Sequence, residues 1–439
     1  MLKASYHTLG CKLNFSETST IASILQQKGI TKVAEGELPD ICVVNTCSVT
    51  GNADKKGRQL IRNLAHRYPQ AAIIVTGCYA QLKPEEVAAL PNVALVLGNN
   101  EKLLISQYLD AWLQTRQCAV EVAPLMKKTD FMPSCERGDR TRYFLKVQDG
   151  CDYFCTYCTI PYARGRSRSG QIADLVATAR EVAQKGGKEI VITGVNIGTF
   201  GTDHGEDFFS LLKALDAVEG IERYRISSIE PNLLTDEILS WIATESRAFM
   251  PHFHIPLQSG SDRVLSLMNR RYDTGLFRGR IQRIHELIPD AFIGVDIIAG
   301  ARGETPEEWE KSLDFATRLD IAKFHAFPYS EREGTKALLL GDAVEQSERY
   351  RRVSVLNDLS ARKTQEFIRR NLGKVRKVLW EKPVGADKMH GLTDNYIRVE
   401  APLRRELINT VSDAKIISHK PGSAEIALAV HPGLDDEKQ

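Results

Sequence analysis

A chain of 439 residues, 43% hydrophobic and 26% charged, is long enough for two or three globular domains and has neither the polarity of a disordered chain nor a fibrous repeat. No apolar stretch reaches the roughly 20 residues that cross a bilayer, and Met1 to Gly10 lacks the apolar run of a secretory signal, so a cytoplasmic protein without membrane contact is expected. Lysine and arginine exceed aspartate and glutamate by only 58 to 56, which excludes nucleic-acid binding through overall charge and leaves it to local basic patches.

The first segment alternates strands with helices. Ser5 to Leu9, Ile41 to Asn45 and Ala72 to Thr76 are short apolar runs separated by helical patterns, which implies a parallel sheet. Asn14 followed by Glu17 is a capping-box pattern for the first helix, with Ile21, Ile24 and Leu25 as its buried face and Gly29 as its stop. A helix from Asn52 to Arg67 places Lys55, Arg58, Arg62 and His66 on one face, opposite Ile61 and Leu64. Such a basic stripe suits phosphate contact and suits a solvated face equally.

From Tyr143 a second alternation begins. Its strand candidates are Tyr143 to Val147, Glu189 to Thr193, Arg223 to Ser228, His252 to Leu257, Phe292 to Ile298 and Lys323 to Pro328, with helical stretches such as Ile172 to Gln184, Leu234 to Ala243 and Pro306 to Leu319 between them. Six strands in this order predict a partial (β/α)6 barrel. After Leu372 the pattern turns to short segments, Val375 to Trp380, Tyr396 to Val399 and Ala414 to Ser418, punctuated by Pro383, Gly385, Asp394 and Asn395, as in a small all-β barrel. Asp435 to Gln439 is a charged tail expected to be disordered. The fold class is therefore α/β: an N-terminal parallel-sheet domain over 1–120, a central barrel over 137–370 and a β module over 371–432.

Nine cysteines is an odd number, and in a reducing compartment clustered cysteines read as metal ligands or nucleophiles. Cys151, Cys155 and Cys158 form a Cys-x3-Cys-x2-Cys loop directly after the first barrel strand, opened by Asp149 and Gly150. Three soft thiolates there suit three irons of a four-iron cluster and leave the fourth iron open; the alternatives are a zinc knuckle with a distant fourth ligand and three unrelated loop thiols. Cys11, Cys47 and Cys78 each lie just past the carboxyl end of one of the first three strands, at gaps near the length of a βαβ unit, so they return to one edge of the sheet. On spacing alone they are a second ligand set or three independent thiols. Cys42, inside an apolar strand, reads as a small buried hydrophobe, and Cys118 and Cys135 belong to no motif.

The Cys151 loop resembles that of radical S-adenosylmethionine enzymes, and the three strand-end cysteines resemble the methylthiotransferase family among them. The motifs are Thr8-Leu9-Gly10-Cys11-Lys12-Leu13-Asn14, Asn45-Thr46-Cys47-Ser48-Val49-Thr50, Thr76-Gly77-Cys78-Tyr79-Ala80-Gln81 and Gln148-Asp149-Gly150-Cys151, and the resemblance covers nearly the whole chain. It implies two [4Fe-4S] clusters, one cleaving S-adenosylmethionine to the radical that activates a C–H bond and the other supplying sulfur, with a further S-adenosylmethionine supplying methyl. It also implies cofactor contacts from Tyr157 to adenine, from the Thr193-Gly194-Val195-Asn196 turn to the methionine amino group, and from Glu230, Gln258 and Ser259 to ribose. In the segment Asp296 to Glu304 the family's Gly-Phe-Pro-Gly-Glu stands as Gly300-Ala301-Arg302-Gly303-Glu304, which leaves the local contacts open.

Arg164, Arg166 and Arg168, alternating beside the cysteine loop, are RNA-contact candidates together with Lys55, Arg58 and Arg62. The C-terminal segment resembles the RNA-binding TRAM domain, with ten basic and seven acidic residues from Asn371 to Pro432. Implied partners are a tRNA anticodon stem-loop, an electron donor such as flavodoxin or ferredoxin, and a sulfur source. Val147-Gln148-Asp149-Gly150-Cys151, Ile160-Pro161-Tyr162-Ala163-Arg164-Gly165 and Asn52-Ala53-Asp54-Lys55 resemble the branch acting on threonylcarbamoyladenosine at tRNA position 37. The alternatives are the isopentenyladenosine branch and a non-catalytic iron–sulfur RNA-binding protein. Arg164, Arg166 and Arg302 are the candidates for meeting a threonylcarbamoyl carboxylate.

Overall fold

The computed structural model describes residues 2–125, 131, 133–136 and 141–431; the charged tail from Asp435 lies outside them. The first sheet has six parallel strands in the spatial order Thr31–Lys32, Lys3–Thr8, Ile41–Thr46, Ala72–Gly77, Val93–Leu97 and Ala119–Glu121. Alternate residues feed two cores. Val43, Ile74 and Leu95 pack with Ile21 and Leu25 on one face, while Cys42, Val44, Ile73 and Val75 pack with Ile61 and Leu64 on the other. Helices therefore cover both faces, as a parallel sheet requires.

The first helix, Lys12–Gln27, corrects the expected capping box: Asn14 and Glu17 lie inside it, both buried, and Cys11 is the residue before its first turn. The Asn14 Nδ2 atom donates to Leu9 O and Thr46 O, each at 2.9 Å, tying together the loops that follow the first two central strands. Glu17 is turned outward from the sheet into the neighbouring barrel.

That barrel consists of Tyr143–Lys146, Glu189–Thr193 and Arg223–Ile226 in one parallel set and His252–Gln258, Phe292–Ala299 and Lys323–Pro328 in another. Bridges at Tyr224 with Phe249 and at Ser228 with His254 join the two sets. The helix Gln346–Asn371 packs along the outer strand, where Ser360 Oγ accepts from Phe324 N and donates to Phe324 O. An unsatisfied strand edge is thereby covered.

The last five strands, Val375–Val384, Lys388–Thr393, Arg398–Pro402, Ile426–Val430 and Val411–His419, close into a barrel around Val378, Trp380, Met389, Val399 and Ile416. It is seated on the larger barrel by Arg223 and Arg225, whose guanidinium groups donate to the carbonyls of Leu392, Thr393 and Asp394 at 2.6–2.9 Å. Among the described residues no helix is long and apolar enough to cross a membrane.

Candidate active site

Both cysteine sets lie where strands end. Cys11, Cys47 and Cys78 follow Lys3–Thr8, Ile41–Thr46 and Ala72–Gly77 in adjacent positions of one sheet. The loops touch: a Cβ on Gly10 would stand 2.6 Å from Cys47 Cβ, and one on Gly77 (φ +93°) would stand 2.3 Å from Thr46 O. Only glycine fits at Gly77, which turns the chain so that the helix opens on Cys78. Burial first, and then the neighbouring Cys78 and Cys11, push the Cys47 thiol up to about 11.

The second loop is built around Gly150 (φ +71°), where a Cβ would meet Arg166 O at 2.0 Å. Each of its sulfurs accepts a hydrogen bond: Cys151 from Tyr153 N at 3.4 Å, Cys158 from Ile160 N at 3.5 Å and Cys155 from Arg270 Nη1 at 3.2 Å. Phe154, inside the loop, has a left-handed backbone (φ +49°), a conformation that non-glycine residues adopt at a cost and that clusters at functional sites. Burial pushes the Cys151 thiol up to about 11 and the Cys158 thiol up to about 12, and Cys155 raises both.

This donor chemistry fits iron. In each set the thiolates oppose one another's ionisation, so cationic iron among them relieves the repulsion, and backbone N–H groups are already aimed at sulfur. Among the described residues no three Cys, His, Asp or Glu side chains close around a single metal ion. A four-iron cluster spreads its thiolates over separate irons and therefore over a wider span.

The cofactor candidates fall unevenly. Asn196 is 4% exposed; its side chain reaches the Cys151 sulfur, where it favours the thiolate, and its amide has no other hydrogen-bond partner among the described residues. An under-satisfied amide beside the loop fits the polar methionine end of S-adenosylmethionine. Tyr157 packs with Val264, Met268, Ala301 and Tyr329, beside the cysteine loop. Glu230 is ion-paired with Arg270, the residue that also donates to Cys155. Gln258 ends its strand at a register shift with φ +64°. Ser259 is a correction: it is fully buried and its hydroxyl accepts from Ser261 N at 3.2 Å, so it does not open onto the mouth.

The basic candidates need correction too. Arg164, 1% exposed, lies inside the protein, with Nη1 3.1 Å from Glu17 Oε1 and 3.0 Å from Asp149 Oδ1 and Nη2 donating to Asn14 Oδ1 at 2.6 Å. Arg168 is also buried, on Asp149 Oδ2 at 3.1 Å. Both have carboxylate partners inside the fold, and neither is available to RNA or to a substrate carboxylate. Arg166 is half exposed, pairs with Asp152 at 3.2 Å and lies over the Phe154 ring. Arg302 is held by Glu331 at 2.9 Å. On the helix Gly51–Arg67, Lys55, Arg62 and His66 are exposed, but Arg58 pairs with Glu86 at 2.8 Å and donates to the Tyr79 hydroxyl.

Sequence reasoning missed the network that Arg164 belongs to. Glu17 receives Lys102 at 2.6 Å, Lys146 at 3.1 Å and Arg164; Asp149 receives Lys146 at 2.7 Å, Arg164 and Arg168. Four cations thus face two carboxylates, and Arg164 lowers the pKa of the buried Cys47 and Cys78 thiols. The surplus positive charge lies between the two cysteine sets, where thiolates need it. Gln148 was also missed: its Oε1 accepts from Val195 N and Asn196 N at 2.9 and 2.8 Å while its Nε2 donates to Gly150 O at 2.7 Å, locking the Asn196 turn to the cysteine loop. A surface groove of about 1190 Å³ between the helices Thr274–Leu287 and Pro306–Arg318 contains none of the cysteines.

Two family models match the chain: the uncharacterized protein family UPF0004 over residues 3–98 and the radical SAM superfamily over residues 145–316. The threonylcarbamoyladenosine tRNA methylthiotransferase MtaB of Bacillus subtilis is 36% identical over 427 residues, 95% of this chain and 94% of that protein. Its namesake from Aquifex aeolicus is 37% identical, covering 91% of this chain and 96% of its own. A tRNA-2-methylthio-N(6)-dimethylallyladenosine synthase from Clostridium botulinum is 31% identical over 85% of each chain. Among solved structures, the radical S-adenosylmethionine methyltransferase TsrM from Kitasatospora setae superposes with a TM-score of 0.54 at 13% identity over 74% of each chain, a likeness of fold alone.

Proposed function

The chain belongs to the radical S-adenosylmethionine methylthiotransferase family, and on that basis we propose that it converts N6-threonylcarbamoyladenosine at tRNA position 37 to its 2-methylthio derivative. The observation that carries the substrate is the 36–37% identity to relatives named for threonylcarbamoyladenosine, over more than nine-tenths of the chain, against 31% to those named for dimethylallyladenosine.

Cys151, Cys155 and Cys158 would hold the cluster that gives one-electron cleavage of S-adenosylmethionine. Arg270 favours thiolate at Cys155 by its charge and its hydrogen bond, and Glu230 orients Arg270. Asn196, fixed by Gln148, offers the methionine end both a donor and an acceptor; Tyr157, Glu230 and Gln258 are the remaining cofactor contacts. Cys11, Cys47 and Cys78 would hold a second [4Fe-4S] cluster and be the point of sulfur delivery, with a flavodoxin- or ferredoxin-like electron donor and an external sulfur source. Residues 1–120 would form the sulfur-delivering domain, 137–370 the radical domain and 371–432 a TRAM-like module that brings tRNA. Lys55, Arg62 and Arg166 remain its RNA-contact candidates.

The test uses anaerobically reconstituted protein with tRNA bearing threonylcarbamoyladenosine, isopentenyladenosine or unmodified adenosine, and mass spectrometry of the nucleosides. Replacing Cys151, Cys155 and Cys158 by alanine should remove about half of the iron and all S-adenosylmethionine cleavage. The same change at Cys11, Cys47 and Cys78 should spare cleavage and stop methylthio formation. Preferential methylthiolation of isopentenyladenosine would overturn the substrate, and full iron with normal product in the second variant would overturn the two-cluster arrangement.

A further inference from the structure

Threonylcarbamoyladenosine differs from isopentenyladenosine and from unmodified adenosine by a carboxylate, and a site that selects it against them must offer that anion a partner. The arginines beside the cysteine loop do not: Arg164 is consumed by Glu17 and Asp149, Arg166 faces Asp152 and Arg302 faces Glu331. A different cation is placed for the task.

A cavity of about 660 Å³ lies where the lumen of the large barrel, the start of the first helix and the C-terminal barrel meet, and its lining includes Lys12, Arg142, His252, His254, His325 and Tyr396. Its size is that of a site for a nucleoside rather than for a lone ion. Four Lys or Arg side chains line it against two Glu. Three of the four have carboxylate neighbours: Arg142 has Glu381 at 3.6 Å, Arg398 the same residue at 3.8 Å, and Lys323 has Glu425 at 2.5 Å. The Lys12 ammonium has neither an ion pair nor a hydrogen bond among the described residues. His252, 4% exposed, likewise leaves its Nδ1 without a partner among them.

Two rings in the cavity register the field of these cations. Burial alone would raise the Tyr396 phenol, yet Lys12, Arg142 and Arg225 together pull it below its ordinary value. The His252 imidazole, 4.0 Å from the Tyr396 ring, is held well below its ordinary value by burial and by Arg225, Lys12 and Arg142. The lumen then runs on toward the Cys151 loop: His254 meets Asp296 at 2.8 Å, and Asp296 acts on Glu230, the partner of Arg270. At the other side, Lys12 follows Cys11 directly in the chain.

We propose that this cavity receives the threonylcarbamoyl side chain and that Lys12 is the residue that pairs with its carboxylate. The inference rests on the substrate reading above. An isopentenyl group in the same place would leave the ammonium desolvated and unpaired, so Lys12 acts for one substrate and against the other.

The anion could also be an RNA phosphate, and the arms of the experiment separate the two. Anticodon stem-loops carrying threonylcarbamoyladenosine, its carboxamide or unmodified adenosine are titrated against reconstituted wild type, Lys12→Gln and Lys12→Arg by fluorescence anisotropy, with iron measured for each protein. The wild type should bind the carboxylate RNA about tenfold tighter than the carboxamide, as a charge-assisted hydrogen bond implies. Lys12→Gln should abolish that preference without changing affinity for unmodified RNA, and Lys12→Arg should keep most of it. An equal loss on all three RNAs would assign Lys12 to phosphate and overturn the proposal, as would an undiminished preference in Lys12→Gln. If Lys12→Gln loses iron, Lys12→Arg with full iron decides: a retained preference supports the pairing and a lost one refutes it. A wild type that methylthiolates isopentenyladenosine instead would refute the substrate reading, whereas one that makes the threonylcarbamoyl product with a Lys12-insensitive preference refutes this inference alone.

Discussion

Replacing Glu17 by Gln tests whether the buried network holds the sheet and the barrel together. Glu17 is fully buried and takes Lys102, Lys146 and Arg164 at 2.6–3.1 Å. Gln keeps the shape and removes the charge, so the four cations would face Asp149 alone. Breaking a buried ion pair by removing one partner costs about 3–5 kcal/mol, or two to four decades in the unfolding constant. Urea unfolding of the apoprotein, followed by tryptophan fluorescence, reads this as a lower midpoint. The control is Glu37→Gln, whose partner Lys3 stands at the same 2.6 Å but in solvent, with about two-fifths of each side chain exposed; its cost should stay within about 1 kcal/mol. The effect also has a pH signature. The cations hold the Glu17 carboxyl below its ordinary 4.5 against the opposing effect of burial, so its contribution is fully present above about 4.5 and is lost as pH falls through the depressed value. The gap between wild type and Glu17→Gln should therefore be constant near neutrality and shrink in acid. A Glu17→Gln protein within 1 kcal/mol of wild type at pH 7 would refute the reasoning.

Gly150→Ala should cost stability and iron together, since its Cβ would stand 2.0 Å from Arg166 O at a positive φ; unchanged iron content would argue against the turn as the organiser of the cysteine loop. The His325 pKa is pushed down to about 4, chiefly by burial and then by His254. The neutral ring is thus the folded form, and its contribution to stability should fall as pH drops from about 6.5 toward 4, a slope that His325→Gln should flatten in thermal melts. Ending the chain at Asn371 should lower the melting temperature rather than only tRNA affinity, because Arg223 and Arg225 would lose the carbonyls of Leu392, Thr393 and Asp394. A truncated protein as stable as the full chain would contradict that seating.

Strand and helix positions were legible where periodicity was strong: Glu189–Thr193, Ile172–Gln184 and Lys323–Pro328 stand where the apolar pattern puts them. Two strands of the small barrel, Lys388–Thr393 and Ile426–Val430, left no such mark because small residues, Gly391, Ala427 and Ala429, occupy positions packed around Trp380, and a Cβ on Gly391 would meet that ring at 2.8 Å. The cysteines were legible because ligand spacing is local. The charges beside them were not, because a buried arginine and a phosphate-binding one are written identically in a sequence. What separates Arg164 from Arg166 is the fold, which brings Glu17 and Asp149, 132 positions apart, onto one of them. For the same reason Asn14 and Glu17 looked like a helix start when both serve contacts beyond their own helix.

The helix Lys12–Gln27 belongs by sequence to the first sheet, yet Ser16 Oγ donates to Phe144 O and Glu17 ends among barrel side chains. Two architectures therefore share one cooperative unit. Neither half can drift from the other by hinge motion without exposing an uncompensated charge, so the separation between the two thiolate sets is a constant of the fold and the RNA must come to it. For a lineage of such proteins the corollary is a constraint on drift: positions 17, 102, 146, 149, 164 and 168 are free to change only in concert, and a barrel transplanted behind a different front sheet would have to match its own four of them to whatever charges the new sheet presents.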